Sequence, residues 1–350
     1  MKCLIFSDPH WCQNSSIVRS RGNKYSTRLE NLIDSLNWVE QLAWSTGCDC
    51  IVCCGDFFDS YVLNSEEVSA LQEIQWSPIS HVFLTGNHET NVSSLDYSTT
   101  DLFALCPNVH VVNTPQQYFI DGTDVEFCFL PYVLERDRRS IQEYFGPPTT
   151  KRVIFSHNDI KDVQYGPFVS TEGFEVSDIE QCCDLYFNGH IHRCCTVTSK
   201  IVNVGNLTGQ NFTEDALDSQ HCAILLDTTT MSYKFYQNLY ALKFYKIDAS
   251  ECATEEEVLH KLNDIQSYGV ATVTVDYSMK DFTRSILDYR KAEEGLVEYR
   301  LILKANKDCA SVPEQIKFSS PDHIKQFETY VKNTIGTSDL VLEELQFIMR

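Results

Sequence analysis

Short apolar runs, each followed by polar or charged residues, recur through the first two thirds of the chain. The runs cover residues 3–6, 50–54, 81–85, 125–130, 153–155, 185–187, 201–204 and 223–226. Runs of this kind are typical of strands that are buried on both faces. Between the first two runs, apolar residues recur at helical spacing from Leu29 to Ala43, which predicts an amphipathic helix ending near Gly47. Strand, helix and strand in this order predict a parallel crossover.

The pattern changes near Leu239, where a second and smaller α/β unit is expected to begin. Helical stretches over 254–267 and 280–291 alternate with strand-like runs over 271–276 and 297–304. Ser320 and Pro321 then predict the start of a helix that ends at Gly336, and a last amphipathic stretch follows it. These last helices either complete the core of the small unit or bind a partner protein. We therefore expect three regions, 1–240, 241–315 and 316–350.

The chain of 350 residues is strongly acidic, with a net charge of −21 from 28 basic and 49 acidic residues. Such a chain does not adhere to nucleic acid or anionic membranes through its overall charge, so any contact with DNA has to be local. The hydrophobic content of 43% excludes a disordered chain. No apolar run approaches the roughly 20 residues of a membrane span, and no signal-peptide pattern opens the sequence. We expect a cytoplasmic protein.

The fifteen cysteines do not form the pattern of a disulfide scaffold. Their number is odd, the chain is long, and several are strand-like neighbours, so we interpret them as reduced, buried thiols. The alternative is a zinc site formed by Cys48, Cys50, Cys53 and Cys54. That group lacks a second, properly spaced pair of ligands.

Five short motifs rich in histidine, aspartate and asparagine each follow a predicted strand. In chain order they are Ser7-Asp8-Pro9-His10, Gly55-Asp56-Phe57-Phe58-Asp59, Gly86-Asn87-His88-Glu89, Ser156-His157-Asn158 and Gly189-His190-Ile191-His192. The carboxyl ends of parallel strands present their side chains to one crevice. Five of the ten histidines lie in these motifs, and a purely structural origin would require each to fall at the same relative place independently. The motifs therefore indicate a functional site.

The residue types of the motifs indicate metal chemistry. Imidazole, carboxylate and amide oxygen ligands together suit manganese, iron or zinc, whereas magnesium and calcium prefer oxygen ligands alone. Two such ions about 3.5 to 4 Å apart can share a bridging carboxylate and clamp the attacking and leaving oxygens of an in-line displacement at phosphorus. Glycines beside Asp56, Asn87 and His190 let the backbone turn sharply near the ions. The sequence thus predicts a two-metal site for phosphoester chemistry.

The ordered set of motifs resembles the calcineurin-like metallophosphoesterase superfamily. The Gly-Asp-Phe-Phe-Asp form, the segment Pro-Asn-Val-His-Val at 107–111, the Leu-Pro-Tyr strand end at 130–132 and the appended small unit resemble the SbcD-type DNA repair nuclease subunit, in its large-phage form. The resemblance covers 1–240 well and the remainder loosely. It implies an α/β fold in which a β-sandwich is flanked by helices, followed by a smaller α/β capping domain that binds DNA and a C-terminal helical segment. It also implies a DNA exonuclease and endonuclease of a double-strand-break repair and recombination complex.

Carried over by position, the resemblance assigns the metal ligands. It implies that one metal is held by Asp8, His10, Asp56 and His192, and the other by Asp56, Asn87, His157 and His190. Asp56 would bridge the two ions, which we expect to be manganese, with magnesium, iron or zinc as alternatives. His88 would stabilise the transition-state charge or protonate the leaving oxygen, or else only support a ligand. Asp59 would orient His88 or a neighbouring loop.

The resemblance also implies partners. A coiled-coil ATPase subunit is expected to dock on 320–350, and the nuclease domain is expected to form a homodimer. A local basic surface for DNA is offered by Arg19, Arg21, Lys24 and Arg28, in a stretch without acidic residues. The alternative is a solvated loop with incidental charge. Arg136, Arg138 and Arg139 form a second candidate surface.

Glu89 departs from the family, which usually has aspartate at this place. Gly-Asn-His-Glu is the form found in serine/threonine protein phosphatases, so a protein or small-molecule phosphatase is the first alternative function. Those phosphatases follow Gly-Asp-x-x-Asp with Arg-Gly, whereas Ser60 and Tyr61 stand here, and their His-Gly-Gly is replaced by His157-Asn158-Asp159. The second alternative is a non-enzymatic scaffold of the same fold. The presence of every expected ligand argues against it.

Overall fold

The computed structural model describes residues 1–13, 22–91, 94–119, 123–165, 168–211, 214, 216, 220–265 and 269–304. The chain divides into two compact units, Met1–Lys304 and Ala305–Arg350. All described residues belong to the first unit. The regions predicted to begin at 241 and 316 therefore stay predictions, and the expected docking helices at 320–350 lie outside the described residues.

The first unit alternates strands and helices along most of its length. Its helices are α1 Thr27–Thr46, α2 Ser65–Ala70, α3 Ile141–Phe145, α4 Val176–Cys182, α5 Glu255–Leu262 and α6 Lys280–Glu293. Its strands are β1 Lys2–Phe6, β2 Cys50–Cys53, β3 Ser80–Leu84, β4 Thr90–Asn91, β5 Ser94–Ser98, β6 Val109–Val112, β7 Gln116–Phe119, β8 Val125–Leu130, β9 Lys151–Ser156, β10 Gln164–Tyr165, β11 Phe168–Val169, β12 Leu185–Asn188, β13 Cys195–Thr196, β14 Ile201–Asn203, β15 Cys222–Asp227, β16 Ser232–Gln237, β17 Lys243–Ala249, β18 Gly269–Asp276 and β19 Glu298–Lys304. The strands and the crossover predicted from the apolar runs are confirmed.

Two six-stranded sheets form the main body. Their strand orders are β16-β15-β1-β2-β3-β6 and β13-β14-β12-β9-β8-β7. Both have a parallel centre; the second has antiparallel strands at both edges, whereas in the first only the β15–β16 side is antiparallel and the edge strand β6 is parallel to β3. Apolar side chains of the facing sheets, such as Ile5 and Val52 of one and Phe155 and Phe187 of the other, make one buried core. The predicted β-sandwich is confirmed.

Helices cover the outer face of each sheet. Leu32 and Leu36 of α1 pack with Ile51 of β2 on one side, and Ile179 of α4 packs with Tyr186 of β12 on the other. The start of α1 is capped by the side chain of Ser26, and the helix ends at Gly47, which has a left-handed φ of 65°. The result is an α/β sandwich of four layers.

A third sheet follows the main body. Its strands β17, β18 and β19 are parallel, and α5 and α6 pack on it through Val258, Leu262 and Leu287. The helices and strands predicted after 240 are thus present in this order. Their small core is separate from that of the sandwich.

The expected reduced thiols and the alternative zinc site of cysteines can be examined in the described residues. The cysteines there are free thiols, most of them buried. The groups of described side chains that could hold a metal consist of aspartate and histidine. No helix in the described ranges is long and apolar enough to cross a membrane.

Candidate metal centre

The five motifs meet at the carboxyl ends of the central strands. β1, β2 and β3 end within two residues of the start of the first three motifs, and β9 and β12 end at Ser156 and Asn188, before His157 and Gly189. The first two loops pair through backbone hydrogen bonds from Asp8 to Gly55 and from His10 to Asp56, each of 3.1 Å. The two sheets of the sandwich therefore bring residues from distant parts of the chain together at the carboxyl ends of their central strands.

Four of the predicted ligands have left-handed backbone conformations. The φ angles are 50° at Asp8, 48° at His10, 49° at Asp56 and 69° at His190. Residues other than glycine rarely adopt this conformation, and such strain concentrates at functional sites. A side chain at Gly86 would overlap the carboxylate of Asp56, so this loop also needs its glycine.

The first group of donors comprises Asp8, His10 and His192, with Asp56 beside it. Nε2 of His10 lies 3.2 Å from Nε2 of His192, and each of these atoms lies 3.8 Å from Oδ1 of Asp8. Oδ2 of Asp56 is 3.7 Å from Nε2 of His10. Asp8, His10 and Asp56 are almost fully buried, whereas 30% of the His192 side chain is exposed.

The second group comprises Asp56, Asn87, His157 and His190. Nε2 of His157 lies 3.1 Å from Oδ2 of Asp56 and 3.1 Å from Oδ1 of Asn87. Oδ1 of Asn87 is also 2.9 Å from Nδ1 of His190. The structure therefore brings together all seven side chains that the sequence assigned to metal binding.

The donor atoms fit two ions that share Asp56. Two ligand atoms at right angles on a metal, each about 2.1 Å from it, lie about 3 Å apart, and wider angles give larger separations. The nitrogen–oxygen distances are 2.9–3.1 Å in the second group and 3.7–3.8 Å in the first. Two groups, Asp8 with His10 and His192, and Asp56 with His157 and His190, each have ligand atoms within 4.8 Å of one another. Nitrogen and oxygen donors are mixed in both, which suits manganese, iron or zinc.

Hydrogen bonds to the second ring nitrogen orient three of the histidine ligands. Nδ1 of His157 lies 2.7 Å from the carbonyl oxygen of Cys54, and Nδ1 of His10 lies 2.9 Å from Oδ1 of Asp59. Nε2 of His190 lies 3.4 Å from Oδ1 of Asp159. Partners of this kind fix the ring and leave the other nitrogen toward the metal.

The charges of the cluster shift its pKa values strongly. Burial is the largest influence on Asp56 and would raise its pKa, but the charges of His157, His10 and His88 and the hydrogen bond to His157 together lower it. Burial is also the largest influence on His10 and would lower its pKa, but the hydrogen bonds and charges of Asp59, Asp8 and Asp56 together raise it to about 10. Burial, with the charge of His10 beside it, lowers the pKa of His192 to about 4. Opposite charges packed in this way are typical of functional sites.

His88 belongs to neither predicted donor group, although one of its ring nitrogens lies within 4.8 Å of ligand atoms of His10 and Asp56. Its ring lies 4.6 Å, centroid to centroid, from the ring of His10, and 43% of its side chain is exposed. Nδ1 lies 3.1 Å from the carbonyl oxygen of Asp59. Nε2 makes no hydrogen bond to any described residue and is available to a substrate.

Asp59 and Glu89 have clear structural partners. Asp59 contacts His10 at 2.9 Å and lies farther, at 3.7 Å, from Nδ1 of His88, so its carboxylate orients a ligand more directly than it orients His88. Glu89 is fully buried and accepts hydrogen bonds from the N–H groups of Gly86 at 2.7 Å and Phe58 at 3.0 Å. Burial, followed by the charge of Asp56, raises the pKa of Glu89 to about 8. Glu89 therefore links the second and third motif loops.

The predicted DNA contacts are only partly within the described residues. Arg19 and Arg21 lie outside them, and Lys24 is exposed and forms an ion pair with Glu73. The expectation for Arg28 is wrong, because this residue is only 1% exposed. Its guanidinium donates to the carbonyl oxygens of Gly209 at 2.7 Å and Pro9 at 2.9 Å, and thus supports the first motif loop.

Sequence reasoning missed two residues behind the centre. Asn158, which is fully buried, directly follows the predicted ligand His157, and Asp159, the partner of His190, comes one residue later. Their position next to His157 in the sequence could have indicated that they lie near the metal site, since residues beside a ligand at a strand end are close to the metal. Nothing in the sequence indicated which atoms they would hold.

Residues 1–194 match the model of the calcineurin-like phosphoesterase family, and the chain belongs to this family. Its members hydrolyse phosphoester bonds at a two-metal centre, and the present donor groups agree with such a centre. A comparison with curated proteins found no match.

Three solved structures illustrate the similarity to known proteins. TT1561 of Thermus thermophilus is 10% identical, with a TM-score of 0.40, over 67% of this chain and 98% of its own. A dimetal phosphatase from Danio rerio is 12% identical, with a TM-score of 0.40, over 68% and 96%. The nuclease MPE of Pseudomonas putida is 14% identical, with a TM-score of 0.26, over 64% and 84%.

Proposed function

We propose that this hydrolase is a DNA phosphodiesterase of the SbcD type, with exonuclease and endonuclease activity in double-strand-break repair and recombination. The observation that carries the proposal is the pair of donor groups that share Asp56, with the free Nε2 of His88 beside them. Two ions bound there would stabilise the attacking and leaving oxygens of an in-line displacement at phosphorus. We propose manganese, since the donors mix imidazole with oxygen.

The protein's own residues prepare the site for this reaction. Buried carboxylates of Asp8 and Asp56 supply negative charge for two cations, and Asp59, Asp159 and the Cys54 carbonyl hold ligand rings in position. The Asp59 carbonyl oxygen accepts from Nδ1 of His88, so that nitrogen keeps its proton. The ring would therefore have to be an imidazolium to donate a proton from Nε2 to the leaving oxygen.

The surroundings favour a diester over a monoester. A phosphate monoester carries more negative charge than a diester and is commonly held by arginine. In the place of the phosphatase Arg-Gly, this chain has Ser60 and the half-exposed Tyr61. Glu89 is the residue that resembles the phosphatases. Its carboxylate is buried between two loops, where it accepts hydrogen bonds from the N–H groups of Gly86 and Phe58 and so does not face a substrate.

The proposal includes two protein partners. A coiled-coil ATPase is proposed to dock on 320–350, and a second copy of the chain on the nuclease domain. A protein that ends at Phe318 should keep metal binding and basal nuclease activity and lose the ATPase in a pull-down. Aggregation of this shortened protein would instead assign the last helices to the core.

The function is tested by incubating the protein with linear and hairpin DNA, phosphopeptides and a nitrophenyl phosphate monoester, each with manganese, magnesium, iron or zinc. The proposal predicts manganese-dependent DNA cleavage that Asp56→Asn abolishes. Hydrolysis of monoesters without DNA cleavage would support the phosphatase. If the protein binds two metals and hydrolyses none of these substrates, the non-enzymatic scaffold would be supported instead.

A further inference from the structure

Tyr132 stands beside the metal centre without belonging to either donor group. Its ring centroid lies 6.3 Å from that of His190, with 38° between the ring planes. The residue is half-buried. Its hydroxyl forms no hydrogen bond with any residue that the structure describes. The exposed part of the ring therefore borders the space that a substrate has to occupy.

The backbone of Tyr132 is fixed from both sides by loops that carry metal ligands. Its N–H donates to the carbonyl oxygen of Thr85 at 2.9 Å. The buried side chain of Asn158 holds both neighbours, since Oδ1 accepts from the N–H of Val133 at 3.0 Å and Nδ2 donates to the carbonyl oxygen of Pro131 at 3.0 Å. A side chain on so restrained a backbone is positioned relative to the metals before substrate binds.

A purely structural role does not account for this arrangement. A tyrosine that serves the core is buried and gives its hydroxyl a partner. Tyr132 is only half-buried, and its hydroxyl has no hydrogen bond to a described residue. The group offered to substrate is thus an aromatic ring held at a fixed distance from His190.

We infer that the ring of Tyr132 stacks on the nucleobase next to the scissile phosphodiester, and so makes the site prefer nucleic acid over other phosphodiesters. This inference rests on the proposed nuclease function and adds a specificity-determining residue to it. Stacking on an aromatic side chain suits every base, so it does not require a particular sequence. It contributes binding energy where the protein's strongly negative charge does not.

The test compares a single-stranded oligonucleotide with an abasic strand of the same length, which keeps the phosphates and lacks the bases. The manganese-loaded protein is assayed as wild type, Tyr132→Leu, Tyr132→Phe and the control Tyr289→Leu, an exposed tyrosine of α6. Stacking predicts that wild type has a KM about tenfold or more higher for the abasic strand. Tyr132→Leu should raise the KM for the normal strand to that level and leave the abasic strand unchanged. Tyr132→Phe and Tyr289→Leu should resemble wild type.

Several results would overturn the inference. An equal loss on both strands in Tyr132→Leu, with lower metal content or melting temperature, would make the residue structural. A loss in Tyr132→Phe as large as in Tyr132→Leu would assign the effect to the hydroxyl. Equal KM values of wild type for both strands would exclude base contact while the nuclease function stands. Failure of wild type to cleave either strand would instead reject the proposed function.

Discussion

The backbone N–H of His88 donates a 3.0 Å hydrogen bond to Oδ1 of Asp56. This bond engages one carboxylate oxygen and leaves Oδ2 between the donor groups, 3.1 Å from Nε2 of His157 and 3.7 Å from Nε2 of His10. A carboxylate held in this way would be able to offer one oxygen to two ions, as the short spacing of about 3.5 to 4 Å in two-metal catalysis requires. The loop that carries His88 therefore also orients the carboxylate of Asp56.

The side chain of His88 should matter for turnover and not for metal binding. His88→Ser removes a group outside both donor sets, so metal content should equal that of wild type. One lost transition-state contact lowers kcat by roughly 10²-fold or more. Metal analysis and DNA cleavage rates check this, with the exposed His260→Ser on α5 as control. Turnover close to wild type would leave His88 only a supporting role.

Asp59 and Asp159 should support different metals. Asp59→Ala removes the partner of His10, so the ion held by Asp8, His10 and His192 should bind about 10- to 100-fold more weakly. Asp159→Ala removes the partner of His190 and should weaken the other ion. Two-site metal titrations of both variants measure this. Equal weakening of both ions in each variant would contradict the assignment.

Arg28 should act on stability and not on DNA affinity. Arg28→Ala leaves the carbonyl oxygens of Pro9 and Gly209 without their donor in a buried place. The free energy of unfolding should fall by about 3 kcal/mol or more. The salt dependence of DNA binding should stay as in wild type, whereas neutralising Arg19 and Arg21 should reduce its slope by about 0.9 for each lost phosphate contact. A flatter slope in Arg28→Ala would show that the buried arginine reaches DNA.

His221 should make the protein less stable in acid. Burial lowers its folded-state pKa to about 4, below the unfolded value of about 6.5. As the pH falls from about 6.5 to about 4, His221 binds a proton in the unfolded chain but not in the native state. The free energy of unfolding therefore decreases by up to about 3 kcal/mol. Burial raises the pKa of the neighbouring Glu214 to about 7, which acts in the opposite direction.

The contribution of His221 is isolated by His221→Asn, which keeps a donor for Oδ1 of Asn206. Denaturant unfolding of both proteins between pH 7 and pH 4 should show a smaller loss of stability in the variant than in wild type. An identical loss in both would mean that His221 does not titrate in this window.

The positions of the predicted ligands could be inferred from the sequence because most of them follow a buried parallel strand. Asp8 follows β1 of one sheet and His190 follows β12 of the other, and the two strand ends meet where the N–H of His190 donates to Oδ1 of Asp8 at 3.1 Å. The strands β7 and β16 were not predicted, because neither contains an apolar run: β7 is the mostly exposed Gln-Gln-Tyr-Phe, and most of β16 alternates polar with aromatic residues.

The partners of individual side chains could not be read from the sequence. Arg28 lies in a basic stretch, but its guanidinium binds a carbonyl 181 positions away, and only the folded backbone brings that oxygen to it. Tyr132 likewise owes its fixed place to Thr85 and Asn158. Such contacts depend on tertiary geometry, which the charge of a local stretch of sequence does not reveal.

The central claim is that Asp56 bridges two metal ions, and metal analysis of Asp56→Asn tests it most directly. Wild type reconstituted with manganese should bind two equivalents. The variant should lose metal from both sites and lose DNA cleavage, because an amide oxygen lacks the charge that a bridge between two cations requires. Two full equivalents in a folded Asp56→Asn variant would contradict the account.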